Sequence, residues 1–141
     1  MSQQQLQEKY VELQILEQQM KQLQEQLQHI EQQRAELHRL EGSLQDIRKT
    51  KAGTDLLVSL GPGIFAKASL KDGTKVLMNV GADTVVETDV ASSQTLIQKQ
   101  EEELQQVQEQ FMHELQHLAE YGQGLQQDLR KLAASLKTPP Q

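Results

Sequence analysis

Two long stretches with heptad-like apolar spacing flank one short segment with strand-like alternation, and this pattern constrains the fold more than any other feature. Residues of about 5–50 and about 95–137 repeat apolar side chains at intervals of three and four. Residues of about 54–90 switch to alternation broken by glycine turns. Each flank is long enough for a helix of ~70 Å. We therefore expect an α+β fold, in which a long antiparallel two-helix coiled coil is joined by a four-strand, two-hairpin β segment.

The first flank carries a coiled-coil seam formed by Leu6, Leu13, Leu16, Met20, Leu23, Leu27, Ile30 and Leu37. Arg34 occupies a seam position. Beyond Leu37 the apolar residues Leu40, Leu44 and Ile47 continue the pattern. Two successive steps of three, from Arg34 to Leu37 to Leu40, predict a stammer that overwinds the coil locally.

The second flank carries a matching seam formed by Ile97, Leu104, Phe111, Leu118, Leu125 and Leu132, with companions Val107, Leu115, Leu129 and Leu136. Ser92 or Ser93 is suited to cap its start, Gly122 and Gly124 could bend it, and Pro139-Pro140 should end it. Pairing the two flanks about Asp72 would place Leu6 near Leu136, Leu13 near Leu132, and Leu27 near Leu118. The matched seams favour an intramolecular hairpin, although periodicity also allows each helix to pair with another chain.

The chain is expected to form one domain, 1–141, composed of a helix over 1–52, a β segment over 54–90 and a helix over 92–137. Its net charge is −6 and no segment is basic, which argues against nucleic acid as a partner. It has no cysteine for disulfides or cysteine-ligated zinc, and no apolar run long enough to span a membrane. The polar start lacks the apolar core of a signal peptide, so we expect a cytoplasmic protein.

The central segment is predicted to form four strands. Gly61-Pro62-Gly63 separates the first two, Asp72-Gly73 predicts a hairpin turn between the second and third, and Gly81 to Thr84 turns into the last. An isolated four-strand meander with apolar residues on both faces would be marginal. We therefore expect these strands to join strands of other subunits and to close an intersubunit β-barrel.

The strands resemble the α-type subunits of the prefoldin family. The resemblance runs through Leu57–Phe65 with its Gly-Pro-Gly, Leu70-Lys71-Asp72, Val76–Gly81 and Val86-Glu87, and two hairpins are typical of the α type. It implies an ATP-independent holdase of two α and four β subunits, which binds unfolded polypeptides and delivers them to a group II chaperonin. The expected partners are therefore β-type subunits, a second α subunit, unfolded clients and the chaperonin, with no cofactor.

Two sets of residues are predicted to act. The clients would bind at the frayed, apolar tips of the coiled coil, at Leu6, Tyr10, Val11, Leu13, Leu129, Leu132 and Leu136. Subunit assembly would use the β segment, at Leu56, Val58, Leu60, Ile64, Phe65, Leu70, Val76, Leu77, Val80 and Val86.

One motif points elsewhere, because His113-Glu114-Leu115-Gln116-His117 matches the H-E-x-x-H pattern of zinc proteases. No histidine follows as a third ligand, and Leu115 belongs to the seam, so two solvated histidines are the favoured interpretation. We expect no catalysis and no nucleotide requirement. A structural coiled-coil scaffold or tether remains the alternative function, but it gives no reason for the strands.

Overall fold

The computed structural model describes residues 2–137, which form two long helices and four strands. The elements in chain order are α1 (Ser2–Lys49), β1 (Asp55–Gly61), β2 (Ile64–Ser69), β3 (Lys75–Gly81), β4 (Thr84–Asp89) and α2 (Val90–Lys137). The predicted α+β class, with two helices around a two-hairpin segment, is confirmed. The predicted helix end at Pro139-Pro140 lies outside the described residues.

The described residues divide into two compact units. One, the helix-end unit, contains the described parts of 1–32 and 104–141, and the other, the hairpin unit, contains 33–103. In each unit a piece of α1 runs antiparallel to a piece of α2. In the helix-end unit, Lys9 Nζ lies 3.2 Å from Asp128 Oδ2. In the hairpin unit, Arg48 Nη1 donates to Gln94 Oε1 over 3.1 Å.

The seam of the helix-end unit is buried from solvent at its centre. Leu16, Leu23, Ile30 and Leu125 are each at most 8% exposed. Gly122 is also buried, and a Cβ added there would lie 3.0 Å from Leu16 Cδ2. The helix continues through Gly122 and Gly124. Gly122 instead gives Leu16 the space to pack against the opposite backbone.

The pairing of the two seams differs from the predicted one. Leu6 shares a groove with Leu129 and Ala133 rather than lying against Leu136. Leu13 lies near Gly122, where an added Cβ would be 4.0 Å from Leu13 Cδ1, and not near Leu132. Both partners lie nearer the start of α2 than expected, by about one to three helical turns. The prediction took Asp72 as the midpoint, and sequence periodicity cannot distinguish pairings that differ by a whole heptad.

The core of the hairpin unit joins both helices to the strands. Leu44, Val90 and Ile97 are buried together, and Leu37 and Val76 pack against them. Val76 is the second residue of β3, so this core fixes the root of the second hairpin on the helices. Burial of such side chains stabilises by roughly 1.5–3 kcal/mol each.

The predicted stammer in α1 is wrong. Leu40 is 47% exposed, whereas Glu41 is half-buried, so the seam steps from Leu37 to Glu41 to Leu44 in an unbroken heptad. Arg34 does occupy the seam, where its Nη2 lies 3.8 Å from Glu101 Oε1 of α2. Both side chains are about 30% exposed. A polar layer of this kind restricts the register of a coiled coil.

A similar exchange occurs in α2. Val107, predicted as a seam companion, is 36% exposed, and Gln108 is the half-buried residue instead. In both helices the prediction assigned an exposed apolar residue to the seam, and the neighbouring polar residue occupies that position instead.

Each hairpin is a separate two-stranded antiparallel sheet, β1 with β2 and β3 with β4. Pro62-Gly63 forms the first turn, with Gly63 at φ +74°. Ala82-Asp83 forms the second, and both residues have positive φ, which matches the type I′ turn of tight hairpins. Both hairpins also have a register shift before the turn, between Ser59 and Gly61 and between Asn79 and Gly81.

The segment around Asp72-Gly73 connects the two hairpins. β2 and β3 belong to separate sheets, so the predicted hairpin turn between them is wrong. Asp72 Oδ1 accepts hydrogen bonds from the Thr74 amide and hydroxyl, at 2.9 and 2.6 Å. A Cβ on Gly73 would lie 2.7 Å from the Ile47 carbonyl oxygen and 2.8 Å from that of Thr50. Glycine is therefore required by close approach to the end of α1 and not by a positive φ angle.

The residue that caps α2 is Asp89, three residues before Ser92 and four before Ser93, the two predicted caps. Asp89, the last residue of β4, accepts a hydrogen bond from the Ser92 amide at 2.9 Å, which is the usual action of an N-cap carboxylate. The Ser93 hydroxyl donates to the Asp89 carbonyl oxygen at 3.1 Å. The strand thus passes directly into the helix, and neither serine caps it.

Candidate functional site

The first candidate surface is one face of each hairpin, called here the open face. Residues paired across an antiparallel ladder lie on the same face. The pairing therefore places Asp55, Leu57, Ser59, Phe65, Lys67 and Ser69 on the open face of the first hairpin. The corresponding face of the second hairpin carries Lys75, Leu77, Asn79, Val85, Glu87 and Asp89. All twelve residues are exposed.

The other face of each hairpin is partly covered. It carries Leu56, Val58, Ala66 and Ala68 in the first hairpin and Val76, Met78, Val86 and Thr88 in the second. Six of these eight are half-buried, the exceptions being Val58 and Val86. The contact of Val76 with the helix core shows why this face faces inward at the root of the second hairpin.

The open faces are apolar at their centres. Leu57 is 69% exposed, Phe65 58%, Leu77 74% and Val85 55%. Within residues 2–137 every strand is hydrogen-bonded on one side only, so each also presents an unpaired edge. Unpaired edges next to exposed apolar side chains form a template for added strands.

Hydrogen bonds at the hairpin roots hold these faces in place. The Gly53 amide donates to the Leu70 carbonyl oxygen at 2.6 Å, and the Leu70 amide donates to that of Thr54 at 3.0 Å. The Val90 amide donates to the Thr74 carbonyl oxygen at 2.8 Å. The donors on Thr74 lower the pKa of the Asp72 carboxyl, and those on Ser92 lower the pKa of Asp89.

The ten predicted assembly residues fall into two groups. Seven are exposed: Val58, Leu60, Ile64, Phe65, Leu77, Val80 and Val86. Leu56, Leu70 and Val76 are half-buried. Leu70 and Val76 anchor the hairpins within the chain, and they therefore do not belong to the exposed surface.

Two residues of the surface were absent from the predicted set. Leu57 and Val85 lie on the open faces and are more than half exposed. The prediction followed the alternation of Leu56, Val58 and Leu60, which marks the other face. Leu57, which lies between Leu56 and Val58, could have indicated the open face. A strand with apolar residues on both faces is expected to be covered on both.

The second candidate surface lies in the helix-end unit, on one side of the seam. Here an apolar groove is lined by Leu6, Tyr10, Leu129 and Ala133, with Gln3, Gln7 and Arg130 at its margins. Tyr10 is 55% exposed. We call this the tip groove.

The other side of the same seam is charged. Its groove is lined by Gln5, Glu8, Lys9, Glu12, Asp128, Lys131 and Leu132. The Tyr121 hydroxyl donates to Glu12 Oε1, and this hydrogen bond, with the charge of the carboxylate, raises the pKa of Tyr121. The two sides of the helix ends therefore differ in chemistry. One side is apolar, and the other is polar, with a salt bridge and a hydrogen bond joining the two helices.

The structure brings together only part of the predicted tip set. Leu6, Tyr10 and Leu129 line the tip groove, whereas Leu132 lines the charged side. Leu13 belongs to the seam near Gly122. Val11 and Leu136 are 46% and 42% exposed. Ile15, at 53% exposure, is an apolar residue of this region that the prediction missed because it lies off the seam between Leu13 and Leu16.

The H-E-x-x-H stretch lies on the outside of α2. His113, Glu114 and His117 are all exposed. Among the residues described, no group of three or more histidine, cysteine or acidic side chains could hold a metal ion.

Comparison with known proteins decides the family. The family model for the prefoldin subunit matches residues 16–135, which include both hairpins and most of both helices. The chain belongs to the prefoldin family. Prefoldin subunit alpha of Archaeoglobus fulgidus is 28% identical over 128 residues, covering 91% of this chain and 93% of the relative. Prefoldin subunit alpha of Methanococcus aeolicus is 29% identical over 132 residues, with 94% and 90% covered.

The solved structures agree on the fold. A chain of the filamentous PFD of Methanocaldococcus jannaschii, determined by cryo-electron microscopy, superposes with a TM-score of 0.71 at 16% identity. The match covers 82% of this chain and 95% of that one. The resemblance to α-type prefoldin subunits drawn from the strands is thus confirmed. No helix in the described part of this prefoldin subunit is long and apolar enough to cross a membrane.

Proposed function

We propose that this prefoldin subunit is the α-type component of an ATP-independent holdase, which binds unfolded polypeptides at its helix ends and delivers them to a group II chaperonin. The complex would contain two α-type and four β-type subunits and act in the cytoplasm. The single observation that carries the proposal is the family assignment over residues 16–135. The two exposed surfaces supply its physical basis.

The hairpins support the assembly part of the proposal. Two-stranded sheets are marginal in water unless further strands or a packed face support them. In this chain the open faces expose Leu57, Phe65, Leu77 and Val85, and each strand has an unpaired edge. Strands from neighbouring subunits would cover these edges, and the closed β-barrel expected from the sequence would leave no edge free.

The helix ends support the client-binding part. An unfolded polypeptide exposes apolar side chains without a fixed shape, so a shallow, open groove suits it better than a closed pocket. The tip groove offers Leu6, Tyr10 and Leu129 for such contacts. Weak binding at several subunits of one complex would add through effective concentration.

The experiment is suppression of client aggregation, without ATP, by the complex of this chain with a β-type prefoldin subunit. Trimming residues 1–12 and 128–141 should abolish holding while the complex still assembles. The finer variant is Tyr10→Ser with Val11→Ser and Leu136→Ser, which removes three exposed apolar side chains of the helix ends. Normal holding by the trimmed complex would contradict the proposed binding site.

The matched control is Met112→Ser in the same unit. Met112 is 56% exposed, close to the 55% of Tyr10, but it belongs to a groove with Met20 and Leu115 farther along the helices. Holding should be unchanged in this variant. A loss equal to that of the triple variant would mean that clients bind along the helices and not at their ends.

A further inference from the structure

The two histidines of the H-E-x-x-H stretch have no part in the proposed function, and both lie on the solvent side of α2. Phe111, Leu115 and Leu118 of the same stretch are half-buried, as seam residues are. His113 and His117 are exposed. The packed seam therefore holds this stretch as a helix, while the two imidazoles stay accessible from solution.

The spacing of the pair suits a shared ligand. Residues four apart in an α-helix lie on the same face, one turn apart, with their Cβ atoms about 5–6 Å from each other. Side chains of a helix lean toward its start, so both imidazoles extend from α2 in the same direction. One nitrogen of each ring can then approach a single metal ion to about 2 Å. His113 and His117 can thus act together as a two-ligand chelate.

The charge around the pair favours cations. Residues 100–129 of α2 contain seven acidic side chains and no lysine or arginine. Glu114 lies beside His113 in the chain, and Glu109 and Glu120 lie about one turn before and after the pair. All three glutamates are exposed. A surface lined by one sign of charge raises the local concentration of ions of the opposite sign.

We propose that His113 and His117 form a surface site for a divalent transition-metal ion, which binds Cu²⁺ more tightly than Ni²⁺ or Zn²⁺. Imidazole suits all three ions, and the order follows their general affinity for nitrogen ligands. In the part of the chain that the structure describes, no third histidine, cysteine or acidic side chain joins the pair. Water would fill the remaining coordination positions, whereas catalytic zinc sites have three protein ligands.

The site has a consequence for stability. The two imidazoles are held one turn apart only while α2 is helical, so the ion binds the folded chain more tightly than the unfolded one. Preferential binding to the folded state raises its stability by mass action. The metal should therefore raise the Tm of the chain, and removal of the metal by EDTA should reverse the change.

The test is calorimetric titration of the full-length chain, without a histidine tag, with Ni²⁺ and with Cu²⁺. The wild type should bind one ion per chain and bind Cu²⁺ more tightly. His113→Ala and His117→Ala should each weaken binding by about tenfold or more, because one imidazole loses the effective concentration of its neighbour. Ni²⁺ should raise the Tm of the wild type and leave that of either variant unchanged.

The matched control keeps the number of histidines constant. Gln106→His with His117→Gln leaves two histidines on one face of α2, but two turns, about 10 Å, apart. A single ion cannot bridge that distance, so this variant should bind Ni²⁺ as weakly as the single variants do. A wild-type chain that binds no ion, or a control that binds as tightly as the wild type, would overturn the proposal.

Discussion

In the helix pair, Leu16, Leu44 and Leu125 are 5–6% exposed, whereas in the hairpins Leu57, Leu60 and Leu77 are 69–74% exposed. Both sets are leucines of one short chain, so residue type does not explain the difference. Each helix packs against a matching seam of the same polypeptide, whereas within residues 2–137 little covers these three hairpin leucines. An apolar side chain that stays exposed after folding adds no burial free energy to the folded chain. It can add such free energy only when another molecule covers it.

The largest effect expected from this comparison contrasts Leu44→Ala with Leu57→Ala. The first removes a core side chain of the hairpin unit and should lower the free energy of unfolding by about 2–5 kcal/mol. The second removes an exposed side chain and should change it by less than about 0.5 kcal/mol. Urea unfolding at low protein concentration measures both. Equal losses would mean that Leu57 is covered within the chain, against the comparison.

The close approach at Gly73 gives the next effect. Gly73→Ala pushes a Cβ against two backbone carbonyls at the end of α1 and should cost about 1–3 kcal/mol. Gly42→Ala is the matched control, since Gly42 is an exposed residue within α1 and nothing lies within 4 Å of its added Cβ. It should stabilise the chain by about 1 kcal/mol through helix propensity. Stabilisation by both changes would show that the hairpin connection is not packed against α1.

A smaller effect separates the two glycines of α2. Gly124→Ala has open space and should gain about 1 kcal/mol. Gly122→Ala gains the same propensity but must displace Leu16 Cδ2, so its net effect should be near zero. Thermal unfolding of the two variants measures the difference. An equal gain in both would mean that Leu16 does not pack tightly over Gly122.

The smallest effect is a pH dependence. Hydrogen bonds lower the pKa of Asp72 and Asp89 below the ordinary 3.8, so the folded chain holds these protons less tightly than the unfolded chain. Their contribution is present above the unfolded pKa and is lost as the pH falls through the folded values. Asp72→Asn with Asp89→Asn should therefore flatten the loss of stability in acid. An unchanged acid limb in the double variant would exclude these two carboxyls as its cause.

Sequence periodicity predicted the elements well and their mutual arrangement less well. The alternation of apolar residues located all four strands, because strand period and glycine turns are local signals. The Asp-Gly turn was misread, because Gly73 is required by contact with Ile47 and Thr50, which are distant in sequence. A contact between residues so far apart in the chain cannot be predicted from the local sequence around Gly73.

The seams show the same limit. Leu40 was preferred to Glu41, and Val107 to Gln108, because hydrophobicity was taken as the mark of a buried position. In a narrow two-helix seam a polar side chain with a long aliphatic stem can fill such a position. The pairing of the helices was likewise uncertain by a heptad, since periodicity repeats at every heptad. For the surfaces, Leu57, Val85 and Ile15 were missed because each lies outside the dominant period.

The central claim, that the open faces of the hairpins bind other subunits, is tested most directly by native mass spectrometry of Leu57→Ser with Leu77→Ser mixed with a β-type prefoldin subunit. The wild-type chain should form a complex of two α-type and four β-type subunits. The double variant should keep the helical circular dichroism of the wild type and form no complex. A double variant that assembles as completely as the wild type would contradict the claim.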